Sequence, residues 1–149
     1  MKYRKGLTLI EILVVVSILT IIISFGLVIN FQSFTSSTFL NENAKIVSLL
    51  EKARSRAMAN MFDTSHGVCY LAPDYIIFRD GTCDGLGTDE KTPANTSLTL
   101  TFPSVVFDRI SGKLKPQLSP STNQIDVIVD NGNGSPKHIK INNEGTINW

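Results

Sequence analysis

Close to its N-terminus the chain has an apolar run from Leu7 to Ile29, 23 residues long, that holds a single carboxylate, Glu11, near its start. As a helix the run would extend about 35 Å, more than the roughly 30 Å of a bilayer's hydrocarbon core. Its other polar members are Thr8, Ser17, Thr20 and Ser24, whose hydroxyls can bond back to their own helix, so Glu11 is the one expensive group. A charge well inside hydrocarbon costs about 2.5 to 3.5 kcal/mol, and an acid in that position points to a partner. Lys2, Arg4 and Lys5 precede the run and no charge follows it until Glu42. The positive-inside bias therefore sets the N-terminus in the cytoplasm and the remainder across the membrane.

A cleavable secretory signal would have a shorter apolar region followed by a small-residue site of A-x-A type, and none follows Ile29. The processing-like junction lies before the run, at Lys5-Gly6-Leu7. The stretch Gly6-Leu7-Thr8-Leu9-Ile10-Glu11 closely resembles the class III signal of type IV prepilins and pseudopilins. That resemblance implies a prepilin peptidase cutting between Gly6 and Leu7, N-methylation of Leu7, and a mature chain in which Glu11 is fifth. It also implies an assembly role for Glu11, whose carboxylate would neutralise the new ammonium of a neighbouring subunit, pairing two charges that would be costly alone in low dielectric. The expected segments are a leader over 1–6, a transmembrane helix over 7–29, a helix continuing into a globular domain over 30–61, and a β-rich domain over 62–149. The expected localisation is the cell inner membrane, single-pass through residues 7–29, with the C-terminal domain periplasmic or extracellular.

Beyond the run, Phe39, Ile46, Leu50, Ala53 and Ala57 recur at helical spacing and form one apolar stripe. No proline occurs before Pro73, so the pattern predicts one long helix from about Leu7 to about Met61. Glu51, Lys52, Arg54 and Arg56 fall mostly off the stripe and read as a solvated face. From His66 onward, short runs rich in Val, Ile, Tyr, Phe and Thr are separated by Gly, Pro, Asn and Asp, the pattern of strands and turns. Strands are predicted over 67–71, 75–79, 97–102, 105–107, 125–129, 138–141 and 146–149. The fold class is α+β: a long N-terminal helix, membrane-spanning in its first half and amphipathic in its second, packed on an antiparallel β-sheet domain. The segments Val106-Phe107-Asp108-Arg109-Ile110-Ser111-Gly112-Lys113 and Ile139-Lys140-Ile141-Asn142-Asn143-Glu144-Gly145-Thr146-Ile147 look like the two-sheet domain of the H-type minor pseudopilins (GspH/FimT-like) of type II secretion systems.

Cys69 and Cys83 are the only cysteines, and the topology puts both where disulfides persist. A bond between them would close a loop of about 15 residues, worth about 3 kcal/mol in the chain-entropy model. Two separate thiols, one buried in a strand, are the alternative, because spacing does not show that their Cα atoms approach within about 7 Å. The acidic, glycine-rich stretches around Asp80 and Asp84 and around Asp130 are weak calcium candidates. Neither matches the twelve-residue EF-hand spacing, and turn chemistry accounts for both.

No G-x-S-x-G, no phosphate-cradling Gly-Lys-Ser/Thr and no cluster of His with acids occurs, so the chain reads as a peptidase substrate and not an enzyme, with no cofactor. Without Lys2, Arg4 and Lys5, 11 basic side chains face 13 acidic ones, a balance of −2. Nucleic acid is not an expected partner on that balance, since its binders usually carry a basic stripe. Other major and minor pseudopilins or pilins are. The resemblance implies a structural minor subunit of a type II secretion pseudopilus that helps to initiate or cap the filament. The alternative is a minor pilin of a type IV pilus or of a competence (DNA uptake) machinery.

Overall fold

The computed structural model describes residues 8–27, 31–80, 82–85, 90–116, 123–130, 132 and 135–149, with the side chains of 25–27 and 31–36 excepted. The chain divides into residues 1–36 and residues 37–149, taken separately below.

The described part of the first unit is dominated by helix α1, Leu9–Leu27, apolar on every side. A second helix, α2, spans Phe31–Met58. The continuity of the long helix expected from about Leu7 to about Met61 turns on residues 28–30, which lie outside the described residues. The far end of α2 is described, and it comes at Met58, three residues before the expected Met61. Asn60 ends it: at φ 49° it takes the left-handed conformation that asparagine tolerates better than most residues, and its amide reaches back to the Ala57 carbonyl at 3.0 Å. A short 3-10 turn, Met61–Asp63, then leads into the strands.

In residues 37–149, two four-stranded antiparallel sheets share one face of α2. The first orders β3 (Glu90–Pro93), β2 (Asp74–Arg79), β1 (His66–Leu71) and β5 (Val105–Phe107) side by side. The second orders β4 (Thr99–Thr101), β6 (Gln124–Asp130), β7 (Lys137–Asn142) and β8 (Ile147–Asn148). Seven of these strands fall where the alternating and β-branched runs predict them, with ends shifted by a residue or two. The eighth, β3, was not expected. Its sequence Glu-Lys-Thr-Pro has no apolar run to signal a strand, and its proline suits the edge position it occupies, where a missing N–H costs little.

The stripe on α2 is the centre of the core. Ile46, Leu50, Ala53 and Ala57 are fully buried and meet Val68, Tyr75, Ile77, Val105 and Phe107 of the first sheet and Val127, Val129, Ile139 and Ile141 of the second. Burying a side chain the size of Leu50 or Ile46 contributes about 1.5 to 3 kcal/mol, so the stripe holds both sheets to the helix. Because successive strand residues point to opposite faces, Cys69, Ile76 and Phe78 turn away from that core and form a second, smaller cluster with Cys83 and Val106. Gly67 allows this cluster to close: a Cβ there would lie 2.5 Å from the Phe78 ring and 2.6 Å from the Val105 carbonyl oxygen.

Candidate functional site

Thr8 and Glu11 open α1 with a reciprocal cap. The Glu11 amide donates to the Thr8 hydroxyl at 3.4 Å, and the Glu11 carboxylate accepts from the Thr8 amide at 3.3 Å and from its hydroxyl at 3.4 Å. This is the T-x-x-E capping box, in which two of the helix's orphan N–H groups are satisfied by side chains and a negative charge sits at the positive end of the helix dipole. The Thr8-Leu9-Ile10-Glu11 spacing carried that signal, although sequence reasoning gave Glu11 only its intersubunit role. The cap is exposed, and its contacts are at the long end of the hydrogen-bond range, so the carboxylate remains open to a stronger cationic partner.

Farther along α1, Ser17, Thr20 and Ser24 donate to the carbonyls of Leu13, Val16 and Thr20 at 2.8, 2.7 and 2.8 Å, so the hydroxyls are spent within the helix as expected. What α1 presents outward is then almost wholly hydrocarbon, from Leu9 to Ile23. A helix that is apolar all round needs lipid or other helices around it. Among the described residues no helix is long and apolar enough to cross a membrane; the described side chains of α1 stop at Ser24, short of the full run. Gly6 and Leu7, the expected cleavage and methylation positions, also lie outside the described residues.

A family model for the prokaryotic N-terminal methylation motif matches residues 1–27. The chain carries a type IV prepilin-like N-terminus. A motif of this kind implies processing by a prepilin peptidase and assembly with other pilins, and it places the capped Glu11 and the apolar surface of α1 inside the matched segment. No curated protein and no solved structure matches the chain.

In residues 37–149, Cys69 of β1 and Cys83 are joined by a disulfide with Cα atoms 6.3 Å apart. It fastens the segment after β2 over the outward face of the first sheet. The calcium candidates do not converge. Asp80 lies within reach of the Thr64 hydroxyl, while Asp130 accepts from the Gly132 amide at 2.8 Å in a tight turn. No group of three or more His, Cys, Asp or Glu able to hold a metal occurs among the described residues. His138 stands apart from His66 and pairs with Asp126 at 2.9 Å on the exposed face of the second sheet.

The charged face of α2 is less free than its spacing suggested. Lys52 and Arg56 both clasp Glu90, holding β3 to the helix, and together they lower the Glu90 pKa. Arg54 donates to the carbonyls of Gly112 and Glu144 at 3.3 and 3.2 Å. The two segments 106–113 and 139–147 therefore meet at Arg54, where the Leu114 amide also donates to the Asn143 carbonyl at 3.0 Å and Lys113 pairs with Glu144.

A buried charge escaped the sequence reading altogether. Glu42, only 3% exposed, accepts from the Lys45 ammonium at 2.7 Å and from the Asn95 amide at 2.9 Å. The Tyr75 hydroxyl lies close by without a hydrogen bond of good geometry. Burial alone would raise the Glu42 pKa, but Lys45, Asn95 and Tyr75 outweigh it and hold the carboxyl below its ordinary value. The available signal was positional, since Glu42 falls between Phe39 and Ile46 on the apolar stripe.

These contacts predict an acid dependence. A carboxylate whose folded pKa is depressed contributes stability above its unfolded value of 4.5, and that stability is lost as pH falls through the folded pKa. Denaturant unfolding of the full chain should show a falling free energy below about pH 4.5. Glu42→Gln should flatten that slope and remove about 2 kcal/mol at neutral pH, since a charge-assisted hydrogen bond is worth about 1.5 to 3 kcal/mol. An unchanged slope in Glu42→Gln would show that Glu90 and other surface carboxylates carry it.

Proposed function

We propose that the chain is a structural minor subunit of a type IV pilin-like filament, an H-type pseudopilin of a type II secretion system that helps to initiate or cap the pseudopilus. The observation that carries this reading is the methylation motif over residues 1–27, with Glu11 capping a helix apolar on every side. In this reading a prepilin peptidase cuts between Gly6 and Leu7, Leu7 is N-methylated, residues 7–29 anchor the subunit in the inner membrane, and Glu11 pairs with the terminal amine of a neighbour. The protein acts through assembly and performs no catalysis of its own. The H-type assignment draws on the resemblance of 106–113 and 139–147 to that subfamily.

A minor pilin of a type IV pilus or of DNA uptake would share the same N-terminus. The charge balance of −2 outside the leader and the absence of arginine from Gly145 to Trp149 favour the secretion reading, since binding to the phosphate backbone depends on clustered Lys and Arg. A titration of the purified full chain with labelled duplex DNA at two salt concentrations, beside a co-purification with the products of neighbouring genes, separates the two. Dissociation constants of about 10⁻⁴ M or weaker, with other minor pseudopilins co-purifying, are expected. Micromolar, steeply salt-dependent DNA binding without a pseudopilin partner would establish the uptake reading instead.

A further inference from the structure

The turn that joins α2 to β1 is closed over a buried histidine. His66, at the start of β1, is 3% exposed, and its Nδ1 is buried without a hydrogen-bond partner. Above it lies Phe62, with ring centroids 6.4 Å apart, and the Arg79 guanidinium of β2 stands 4.6 Å from the centre of the Phe62 ring on a strand whose Arg79 is the register partner of His66. From α2, Arg56 also faces the histidine; its own counter-charge, Glu90, is shared with Lys52. Of the carboxylates of the turn region, Asp63 pairs with Arg109 at 2.6 Å, and Asp80 accepts from the Thr64 hydroxyl at 3.4 Å on the cleft side of the turn. From β5 the register partner is Phe107, which is uncharged.

The turn itself is held against its preferences. Asn60, Phe62 and Asp63 have φ of 49°, 60° and 54°, a left-handed backbone that costs an aromatic residue such as Phe62 about 1 to 3 kcal/mol. Phe62 is 69% exposed and lines, with Asp63, Thr64, Arg79 and Asp80, a surface cleft of about 310 Å³. The contacts that bind it down lie mostly at the surface: the Asp63 amide to the Asn60 carbonyl at 3.2 Å, the Asn60 side-chain amide to the Asp63 carboxylate at 3.3 Å, the Thr64 hydroxyl to Asp80 at 3.4 Å, the Asp80 amide to the Ser65 carbonyl at 3.1 Å, Arg109 to the Asp63 carboxylate and carbonyl at 2.6 and 3.3 Å, and Arg79 over the Phe62 ring.

We propose that His66 is an acid-operated latch on this turn: protonating its ring drives residues 60–64 away from the end of β1 and opens the cleft around Phe62. A neutral imidazole can remain buried between Arg56 and Arg79, whereas an imidazolium there is both desolvated and repelled by two cations. Burial is the main cause that lowers the His66 pKa in the closed turn; the Thr64 backbone opposes it, and the charges of Arg56 and Arg79 add smaller contributions that lower it further. Opening returns the ring to water and to an ordinary pKa of 6.5, so the open form binds more protons and gains population as pH falls below that value. Between pH 7.5 and pH 5 the ceiling on this gain is about 30-fold. Glu42 and Glu90, both held below their ordinary carboxylate values, keep their charges over the same interval, so the response is local.

The test is hydrogen exchange on the full chain in detergent micelles at pH 7.5 and 5, corrected for intrinsic exchange rates. Opening at the Asp63 and Asp80 amides should rise by about 10- to 30-fold while amides of β6 and β7 stay level. His66→Gln should abolish the rise, and His138→Gln should keep it. Should His66→Gln not fold, Arg79→Gln serves: with one flanking cation gone, the same acid step should open the turn less, and the His66 ring should titrate higher by NMR. A rise shared equally by all strands, a flat response at Asp63 and Asp80, or an undiminished rise in His66→Gln would each overturn the latch.

Discussion

Gly145→Ala should destabilise the domain by about 2 to 4 kcal/mol, which for its size is a fall of about 10 to 25 °C in the unfolding midpoint. Gly145 turns the chain between β7 and β8 at φ 75°, where a side chain is strained in any surroundings. A Cβ there would also penetrate the carbonyl oxygen of Gly112 and press to 3.0 Å against Nε of Arg54. The nearest atoms are the Gly112 backbone, which cannot rotate away, so the turns at 108–113 and 142–145 must separate and Arg54 is pulled from the acceptors it holds on both. Gly132→Ala isolates the two contributions: φ is 74°, but among the described residues no atom lies within 4 Å of the new methyl group. That variant should lose only about 1 kcal/mol. Thermal unfolding followed by circular dichroism compares them, and equal losses would mean that the close approach at Arg54 contributes nothing.

Replacement of Glu11 has the largest effect expected on assembly. Glu11→Ala removes a group that costs a few kcal/mol in hydrocarbon, so membrane insertion should stay the same or improve. Incorporation into filaments, or crosslinking to partner subunits in membranes, should fall by at least about ten-fold, because an unpaired amine left in low dielectric costs about 3 to 5 kcal/mol. The cap formed with Thr8 complicates that single comparison, since alanine abolishes the cap as well. Glu11→Gln resolves it. Glutamine serves in a capping box as glutamate does, but carries no charge. If Glu11→Gln assembles like the parent and only Glu11→Ala fails, the carboxylate acts by starting α1; if both fail alike, it acts by charge.

Much of this arrangement was legible because hydrophobic spacing is a strong signal. The stripe from Phe39 to Ala57 placed the core face of α2, and the runs around Val68, Ile77, Val127 and Ile139 located strands that proved to bury those residues. The pairing of the strands into two sheets is set by contacts between distant segments, and only the resemblance of 106–113 and 139–147 pointed to it. Edge strand β3 was invisible since its Glu90 and Lys91 pair with charge and backbone and bury little hydrocarbon. Glu42 was missed for a related reason: a carboxylate on an apolar stripe looks like an interruption until its partners, Lys45 one turn away and Asn95 from a distant loop, are brought to it. In the N-terminal segment the Thr8–Glu11 spacing carried the signal of the local cap, whereas the assembly role expected of Glu11 came from the resemblance, and one chain by itself displays only the cap.

The most direct measurement is the mass and N-terminal sequence of the mature protein purified from cells that contain the peptidase. A chain that begins at Leu7 with one added methyl group is the expected result, leaving Glu11 as its fifth residue and the apolar helix intact. A chain that begins at Met1, or at any residue after Ile29, would contradict the filament-subunit reading.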